Sequence, residues 1–341
     1  MLRQSEKTVL FIPALGKGRK MAKVLVIGGA GYIGSHVVKA LLEKGHQVAV
    51  YDNLSTGQKV NLFEQAEFIE GDILDSGLLF DTLRNGFDAV VHLAAKKAVG
   101  ESMEKPNKYS INNIQGSLNI LMAMAECGVR HIVFSSSAAV YGMPEYLPVD
   151  EAHPLNPINY YGFTKLEIEK FMDWYDRLKD MRYVALRYFN AVGYDSEGKI
   201  RGKEKNPQNL LPIIMETAAG VRDGMSVFGS DYDTRDGTCI RDYIHVSDLA
   251  SAHVLAIEKL IEGMPSAVLN LGTGEGTSVK EMIDAAEKVT GKKLNVTYAG
   301  RRAGDPATLI ASSEKARNLL GWKPQITDIE EIIRTTWNLE H

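Results

Sequence analysis

The sequence predicts an α/β fold: a doubly wound parallel sheet followed by a smaller C-terminal domain. A β-branched run at Lys23–Ile27 leads through a glycine-rich turn into a helical stripe, and then into a second strand at Val48–Tyr51. Short apolar runs and helical stripes alternate as far as Arg187, and the alternation loosens after Asn190. Such alternation is typical of a parallel sheet with helices on both faces.

Each further element is predicted from its own pattern. Apolar residues recur at helical spacing after Ile33, and Gly45 suits the end of that helix. Because glycine and proline interrupt the polar stretch from Asp195 to Asn209, it is predicted to be a loop. Strands are predicted at Glu67–Glu70, Ala89–Leu93, His131–Phe134, Tyr183–Arg187 and Ala267–Leu271. Helices are predicted at Ser110–Glu126, Tyr160–Leu178, Leu211–Gly220, Val246–Glu262, Val279–Thr290 and Ser313–Leu320.

Composition and charge exclude several classes of protein. The 341 residues, with 45% hydrophobic and 24% charged side chains, are ordinary for one or two globular domains. A net charge of −4 gives no electrostatic reason to bind nucleic acid. No apolar run approaches the roughly 18 residues that a membrane span needs. Cys127 and Cys239 make no disulfide framework or metal cluster and are expected to be small buried side chains. We therefore expect a cytoplasmic protein without metal, nucleic-acid or membrane partners.

The first twenty residues differ from the rest of the chain. Five basic residues stand there against one acid, Glu6, a composition also found in targeting segments. The stretch has no continuous apolar run and no clear cleavage site, however. We expect residues 1–20 to form a disordered tail, with Met21 beginning the domain.

A glycine-rich turn follows the first strand. Gly28, Gly31 and Gly34 permit a tight turn and close packing of helix on strand, while Tyr32 and Ile33 open the helix. The N–H groups at a helix N-terminus can bind the pyrophosphate of a dinucleotide. The alternative for glycines alone is an ordinary turn, but their position between a strand and a helix favours a cofactor site.

Carboxylates at the next two strand ends indicate which dinucleotide binds. Asp52 ends the second strand 18 residues after Gly34, where it can accept hydrogen bonds from the adenosine ribose. A carboxylate there would repel a 2′-phosphate, so NAD is favoured over NADP. Asp72 ends the third strand and could meet the adenine amino group. A strand-end aspartate is also a common turn former, but the position within the motif favours the cofactor role.

Tyr161 and Lys165 lie one helical turn apart on a predicted helix. A tyrosine pKa of about 10 is too high for a general base, and a neighbouring ammonium and a nicotinamide cation both lower it. The lysine could also hold the nicotinamide ribose. Ser137, the last of three serines at a strand end, could align the proton path. Isolated Tyr-x-x-x-Lys pairs arise by chance and serine runs form polar turns, but the upstream cofactor motif favours a hydride-transfer enzyme.

These motifs together give the chain a resemblance to a known family. From Lys23 to about Trp337 it resembles the extended short-chain dehydrogenase/reductase superfamily, with its Rossmann sheet. More narrowly, it resembles the UDP-glucose (UDP-galactose) 4-epimerases. The resemblance is carried by the segments Gly28–Gly34, Lys97–Ser102, Ser135–Gly142, Tyr161–Lys165, Leu186–Asn190, Arg241–Val246 and Arg301–Asp305.

The resemblance implies an enzyme with a tightly held NAD and a UDP-hexose substrate. Tyr161 would take the proton of the sugar 4-hydroxyl while C4 gives a hydride to NAD+. The hydride would then return to the other face of the 4-keto sugar, so that UDP-galactose becomes UDP-glucose. An NAD-binding Rossmann domain is implied at residues 21–190 and 238–271, and a UDP-sugar-binding domain at 191–237 and 272–341.

The same resemblance implies a homodimer and a set of contacts to each ligand. The helices at Ser110–Glu126 and Tyr160–Leu178 would pair across the dimer contact. Besides the glycine turn, Asp52, Asp72, Tyr161 and Lys165, cofactor contacts are implied at Asn53, Ile73, Leu93, Ala94, Ala95, Lys97, Asn112 and Tyr188. Substrate contacts are implied at Ser137, Tyr161, Asn190, Asn209, Leu210, Phe228, Arg241, Arg302, Asp305 and Leu309. An arginine fork matches phosphate oxygens, although Arg241 and Arg302 could instead form surface salt bridges.

One position departs from the family pattern. Where the best-known bacterial epimerases carry a bulky tyrosine near C2 of the sugar, this chain has Leu309. A leucine lacks the reach of the phenol and leaves room for an N-acetyl group. We therefore expect mixed specificity that includes N-acetylhexosamine forms.

Three other functions are weighed against this prediction. A sugar-nucleotide 4,6-dehydratase carries an Asp-Glu pair before Val-Tyr-Gly, and Ala138-Ala139 stand there instead. A UDP-glucuronate 4-epimerase or decarboxylase stays open, because it differs in a pocket for the sugar carboxylate. A non-enzymatic NAD-binding regulator would lack the tyrosine or the lysine, and both are present.

Overall fold

The fold is described by a computed structural model over residues 21–204, 207–302 and 304–339. The tail predicted at residues 1–20 lies outside the described residues. The strands are β1 (Lys23–Ile27), β2 (Gln47–Asp52), β3 (Glu67–Glu70), β4 (Ala89–His92), β5 (His131–Ser135), β6 (Arg182–Tyr188), β7 (Asn190–Val192), β8 (Met225–Phe228), β9 (Ile240–Arg241), β10 (Tyr243–His245), β11 (Ala267–Leu271), β12 (Thr277–Ser278), β13 (Val296–Ala299) and β14 (Thr308–Leu309). The helices are α1 (Tyr32–Glu43), α2 (Ser76–Leu83), α3 (Val99–Glu104), α4 (Pro106–Tyr109), α5 (Gly116–Cys127), α6 (Tyr160–Lys179), α7 (Leu210–Ala218), α8 (Val246–Ile261), α9 (Val279–Thr290), α10 (Glu314–Leu320) and α11 (Ile329–Trp337).

A seven-stranded parallel sheet forms the centre of the molecule, in the order β11-β6-β5-β4-β1-β2-β3. The predicted doubly wound α/β fold is therefore confirmed. Ile27 at the end of β1 stands beside Tyr51 of β2 and His92 of β4. The chain runs outward from β1 to β3 and then returns to β4, so a crevice opens at the carboxyl ends of β1 and β4.

Helices bury both faces of the sheet. Along β1, Val24 and Val26 enter one hydrophobic core with α1, α8 and α10. Leu25 and Ile27 enter a second core with α2, α5 and α6. This division follows from the opposite directions of successive side chains in a strand. It also explains why β1 is apolar at every position after Lys23.

A third core lies in the C-terminal half of the chain. Side chains of α7, α9 and α11 pack there, among them Leu211, Met282 and Ile332. Short strands pair beside it: β7 with β10, β8 with β13, and β9 with both β12 and β14. Trp322, which follows α10, packs instead with the sheet core of α1 and α8. The division into domains at residues 190, 237 and 271 stays a prediction.

The structure adds elements that the sequence pattern did not predict. Helix α2 is capped by Asp75, whose carboxylate accepts the backbone N–H of Leu78 at 3.0 Å. Helix α11 buries Ile332 and Ile333 on its inner face. The helix predicted at Ser110–Glu126 begins with a wider π-helical turn, Ser110–Gln115, before α5 starts.

The structure also bears on the expectations about cysteines, membrane-spanning helices and metal ligands. Both cysteines are free thiols; Cys239 is buried, but Cys127 is half-buried, which corrects the expectation that both are buried. In the described part of the chain, no helix is long and apolar enough to cross a membrane. Among the same residues, no group of three or more His, Cys, Asp or Glu side chains could hold a metal ion.

Candidate active site

The glycine turn between β1 and α1 is packed so closely that side chains would not fit. Gly28 has a φ of +87°, and a Cβ there would lie 2.7 Å from the backbone nitrogen of Ala94. A Cβ on Gly34 would lie 2.0 Å from the carbonyl oxygen of Gly28. Helix α1 starts after Gly31 without a side-chain cap. The N–H groups of its first turn, which includes Tyr32 and Ile33, are therefore offered to an anionic ligand.

Asp52 ties the end of β2 to this turn. One carboxylate oxygen accepts the backbone N–H of Ala30 at 3.1 Å, and the other accepts that of Leu54 at 2.8 Å. Burial raises the pKa of the carboxyl, and these two hydrogen bonds oppose that effect. Beside it, the Asn53 amide donates to the Asp72 carboxylate at 2.7 Å. The structure thus brings together the residues predicted for the adenosine side of a cofactor.

Further predicted cofactor residues follow β4, at Leu93, Ala94 and Ala95, and β3, at Ile73. Leu93 and Ala94 donate their N–H groups to the carbonyl of Ile27, at 2.9 and 3.1 Å, and both are half-buried, as is Ala95. The Ile73 side chain is buried in the core instead. It packs so closely on Gly116 that a Cβ there would lie 2.4 Å from its Cδ1 atom.

Two loops meet beside the glycine turn. Lys97 forms an ion pair with Glu204, with 2.9 Å between Nζ and Oε2. The Tyr32 phenol donates to the carbonyl of Gly193 at 2.6 Å. Since Lys97 is half exposed, its ammonium can exchange Glu204 for an anionic ligand at low cost.

Asn113, which the sequence did not single out, makes more contacts than its neighbour Asn112. It is buried, and it exchanges hydrogen bonds with the backbone of Lys96 at 2.8 and 2.9 Å. Its amide also reaches the Thr164 hydroxyl at 3.2 Å. Asn112 donates its amide to the Asn113 oxygen at 3.0 Å. Asn113 therefore fixes the loop after β4 against α6, and Asn112 stands beside that joint.

Lys165 is a buried lysine on the inner face of α6. Its Nζ atom donates to the carbonyl of Ser135 at 2.6 Å and lies 4.6 Å from the centroid of the Phe134 ring. The Tyr161 ring centroid is 5.8 Å away. Burial lowers the pKa of Lys165 to about 7, and the negative charge of Glu169 opposes this lowering. The ammonium form is therefore easily lost near neutral pH.

The Tyr161 phenol is hydrogen-bonded to Ser137. Burial raises the pKa of Tyr161 to about 12, and the bond from Ser137 opposes the rise. The expected lowering of the Tyr161 pKa is thus wrong for the free protein, because desolvation penalises the phenolate. Ser137 also accepts the backbone N–H of Ala139 at 3.1 Å, which fixes its side chain. Once Tyr161 is deprotonated, Ser137 can align a substrate hydroxyl so that its proton passes to the phenolate oxygen.

Tyr188, at the end of β6, joins the same cluster. Its phenol is hydrogen-bonded to the Ser135 hydroxyl, and burial raises its pKa. Tyr161, Lys165, Ser137 and Tyr188 therefore lie at one edge of the sheet, where β5 and β6 end. Tyr161 and Lys165 were predicted as a pair with Ser137 as their partner, and Tyr188 as a cofactor contact implied by the resemblance. The fold brings the four together.

A second group of predicted residues lies around β9. Arg241 forms an ion pair with Asp305, and its side chain is 12% exposed, so it is not an ordinary surface salt bridge. Leu309 stands beside Arg241 in the pairing of β14 with β9. Leu309 also packs on the cluster that contains Ala138, which adjoins Ser137. Asn190 donates its amide to the backbone of Asp242 at 3.0 Å.

The remaining predicted substrate residues are Asn209, Leu210, Phe228 and Arg302. The guanidinium of Arg302 is 3.9 Å from the centroid of the Phe228 ring, and Arg302 is exposed. Asn209 is exposed and precedes α7, which it does not cap with its side chain. Leu210 begins α7 and is half-buried. Among the described contacts, these four residues have none with Tyr161.

Besides Asn113, three supporting residues were missed by the sequence reasoning. The Ser102 hydroxyl accepts the backbone N–H of Tyr161 at 3.1 Å and so holds the start of α6. The buried Asp242 carboxylate accepts backbone N–H groups, among them that of Thr273 at 2.8 Å, beside Arg241. Glu169 is buried one helical turn beyond Lys165, and that spacing was a signal available in the sequence.

The glycine turn and the Tyr–Lys pair open onto the same edge of one parallel sheet. This arrangement defines a dinucleotide-dependent enzyme of the short-chain dehydrogenase/reductase class. Comparison with known families makes the assignment narrower. The chain belongs to the NAD dependent epimerase/dehydratase family, whose model matches residues 24–272.

Individual relatives resemble the chain along nearly its whole length. A UDP-glucose 4-epimerase from Streptococcus mutans is 50% identical over 318 residues, which cover 92% of this chain and 95% of that protein. The crystal structure of UDP-glucose 4-epimerase from Brucella ovis with NAD is 46% identical, with a TM-score of 0.91 over 93% of this chain and 98% of that one. The UDP-Glc/GlcNAc 4-epimerase from Campylobacter jejuni is 41% identical, with a TM-score of 0.83 over 94% of this chain and 99% of that one.

Proposed function

We propose that this protein is an NAD-dependent epimerase that inverts C4 of a UDP-hexose and interconverts UDP-galactose and UDP-glucose. The observation that carries the proposal is the Tyr161–Ser137 hydrogen bond beside the buried Lys165, at the sheet edge where the glycine turn opens. The near full-length similarity to proteins named UDP-glucose 4-epimerase supports the same substrate class.

The residues present fit NAD. A Cβ on Gly28 or Gly34 would lie less than 3 Å from backbone atoms, so only glycine allows this turn, and its N–H groups at the start of α1 would bind the pyrophosphate. Asp52 would accept the adenosine ribose hydroxyls, with Asn53 and Asp72 beside the adenine. Lys97 would reach the cofactor after releasing Glu204. When bound, NAD supplies the hydride acceptor and donor at C4 of the sugar, through a 4-keto intermediate.

The chain's own residues would move the proton. Ser137 would align the sugar 4-hydroxyl, and Tyr161 would take its proton and later return it. The ammonium of Lys165 favours the phenolate, because opposite charge stabilises the deprotonated form. Burial excludes water from Lys165, which strengthens that interaction.

The other end of the substrate would lie at β9. Arg241 presents a planar fork that matches the oxygens of a diphosphate. It is paired with Asp305 in the free protein, so a diphosphate would replace or share that partner. Asn190, Asn209, Leu210, Phe228 and Arg302 would complete the UDP site.

The wall of the sugar pocket would be set by Leu309. Leu309 packs on the cluster that contains Ala138 and pairs with Arg241, which supports a position between the arginine end and the proton-transfer end of the crevice. A leucine there leaves space that a tyrosine would fill. We propose mixed specificity that includes N-acetylhexosamine forms, and the Campylobacter jejuni relative, named for both sugars, supports it.

We further propose a homodimer that acts in the cytoplasm in galactose metabolism. Helices α5 and α6 carry exposed apolar side chains, at Met122, Phe163, Trp174 and Leu178, with exposed fractions between 38% and 70%. Such a surface is typical of a protein contact. Light scattering should give twice the chain mass, and Trp174→Glu should reduce it.

The main test uses purified protein, UDP-galactose and no added cofactor. We expect UDP-glucose as product, retained NAD after denaturation, and no turnover of UDP-glucuronate. Tyr161→Phe should lower turnover by about 100-fold or more. Tyr160→Phe is the matched control, because its phenol contacts Ser110 at 2.7 Å, away from Ser137. A requirement for stoichiometric reductant would instead indicate a plain reductase.

A further inference from the structure

Glu169 is a buried carboxylate with a full set of partners. It lies on α6 one turn beyond Lys165 and is 5% exposed. Its oxygens accept hydrogen bonds from the Ser136 hydroxyl and from the guanidinium of Arg187, whose Nε atom is 3.0 Å away. A carboxylate taken this far out of water is costly unless it is paired.

The pairing continues through a chain of buried polar groups. Arg187 donates to the Tyr141 phenol at 3.0 Å, and that phenol donates to the Asn270 side chain at 2.6 Å. Asn270 in turn donates to the carbonyl of Val149 at 3.0 Å. The chain of contacts anchors Glu169 to β6, to β11 and to the loop that follows Tyr141, so its position is fixed from several sides.

Three consecutive serines at the end of β5 each hold a different residue of α6. The carbonyl of Ser135 accepts the Lys165 ammonium, the hydroxyl of Ser136 donates to Glu169, and the hydroxyl of Ser137 bonds the Tyr161 phenol. The three α6 residues stand at positions 161, 165 and 169, one turn apart on one face. The serine run therefore aligns the whole face, and Glu169 is its third member.

We propose that Glu169 is a positioning residue whose negative charge keeps Lys165 as an ammonium beside Tyr161. This inference rests on the roles proposed above for Tyr161 and Lys165. Glu169 acts through Lys165 and does not reach the substrate. Its bonds to Ser136 and Arg187 hold the charge at a fixed distance from Lys165.

The charges around Lys165 define what Glu169 contributes. Tyr161 and Glu169 face it from α6, and His92 faces it from β4. Burial lowers the pKa of His92 to about 3, so His92 is neutral. On β6, the Tyr188 phenol is hydrogen-bonded to Ser135, and burial raises its pKa, so the phenol is neutral. Arg187, also on β6, is a cation that forms an ion pair with Glu169. Glu169 is the one carboxylate in this described set.

The test compares Glu169→Gln with wild type as holoenzymes. The tyrosinate absorbance is followed against pH, with Tyr161→Phe as the blank, and kcat and KM for UDP-galactose are measured across the same range. Glu167→Gln is the charge-matched control, because Glu167 lies on α6 but pairs outward with Lys170 at 2.7 Å. Ser136→Ala removes a bond to Glu169 but keeps its charge.

We expect Glu169→Gln to move the tyrosinate step upward by about one pH unit and to lower kcat at neutral pH about tenfold. KM should be unchanged. Glu167→Gln should titrate like wild type, and Ser136→Ala should shift by less than Glu169→Gln. A tyrosinate step and a pH profile in Glu169→Gln that coincide with wild type would overturn the inference.

Two further outcomes keep the test decisive. If Glu169→Gln does not fold, Glu169→Ala replaces it, because it also removes the charge. A shift no larger than that of Ser136→Ala then overturns the inference. If Tyr161→Phe keeps its turnover, the proposed catalytic roles are wrong, which is a different result. Loss of activity in Tyr161→Phe together with an unmoved Glu169→Gln refutes the role of Glu169 alone.

Discussion

Replacing Gly34 by alanine tests whether backbone packing in the glycine turn holds the cofactor. The new Cβ would lie 2.0 Å from the carbonyl oxygen of Gly28 and 2.8 Å from the Cα atom of Gly29. Both obstacles are backbone atoms, so neither can rotate away. Helix α1 would therefore have to move off the turn.

The size of the effect follows from that distance. Ordinary contact begins at 3.4 Å, so the 2.0 Å approach must open by about 1.4 Å. Overpacking of this kind costs about 1–3 kcal/mol. Because the same turn is the proposed pyrophosphate site, the cost is divided between folding and NAD binding. About 1.4 kcal/mol assigned to binding is a tenfold loss of affinity.

Two measurements are needed on each variant: the free energy of unfolding in urea without NAD, and the NAD dissociation constant by calorimetry. Gly100→Ala is the control, because a Cβ on Gly100 meets nothing within 4 Å. We expect Gly34→Ala to lose at least about 1 kcal/mol over the two measurements together, and Gly100→Ala to lose none. A Gly34→Ala protein that is as stable as wild type and binds NAD as tightly would refute the packing argument.

Three more predictions concern charge and shape. Since burial lowers the pKa of Lys165 to about 7, the native state disfavours its ammonium, and this cost is relieved as pH rises from about 7 toward 10. Lys165→Met should thus match or exceed the wild-type free energy of unfolding in urea at pH 7 and lose that advantage toward pH 10. Its turnover should fall about 100-fold. A variant less stable than wild type at pH 7 would contradict the predicted direction of the stability change. Burial lowers the pKa of His253 to about 4, so the contribution of the neutral imidazole to stability is lost as pH falls from about 6.5 through 4. In His253→Gln, the free energy of unfolding in urea should fall less steeply over that range. A fall as steep as that of wild type would contradict the lowered pKa of His253. Leu309→Tyr should lower turnover of UDP-N-acetylglucosamine relative to UDP-galactose by about tenfold. Leu319→Tyr is the control, because Leu319 is 39% exposed, and it should change turnover of neither sugar. Equal losses on both sugars in Leu309→Tyr would show that Leu309 does not select between them.

Much of the sheet could be predicted because its signals are local. Strand β1 has the predicted bounds, because four apolar residues follow Lys23 without interruption. Helix α9 also has the predicted bounds, because Ser278 caps its start and Gly291 ends it. The two-residue strands β9, β12 and β14 could not be predicted. They exist through pairing between distant segments, as where Ser278 stands opposite Ile240.

The site was predictable where a motif fixes the backbone, and less so where tertiary packing decides. The glycine turn shows the geometry its sequence requires. The cofactor contact implied at Asn112 stays a prediction. Its neighbour Asn113 was not predicted, because its hydrogen bonds to the backbone of Lys96 depend on tertiary packing. The pKa of Tyr161 was expected to fall from charge alone, and the depth of its burial could not be known from sequence.

Asp52 has a consequence for how cofactor preference could change. The carboxylate that would select NAD also holds the N–H groups of Ala30 and Leu54. A substitution that admits a 2′-phosphate would at the same time remove two hydrogen bonds from the turn that is proposed to bind the pyrophosphate. The choice between NAD and NADP and the shape of the glycine turn thus depend on the same side chain. A change of preference to NADP would need other residues to hold the turn before Asp52 could be replaced.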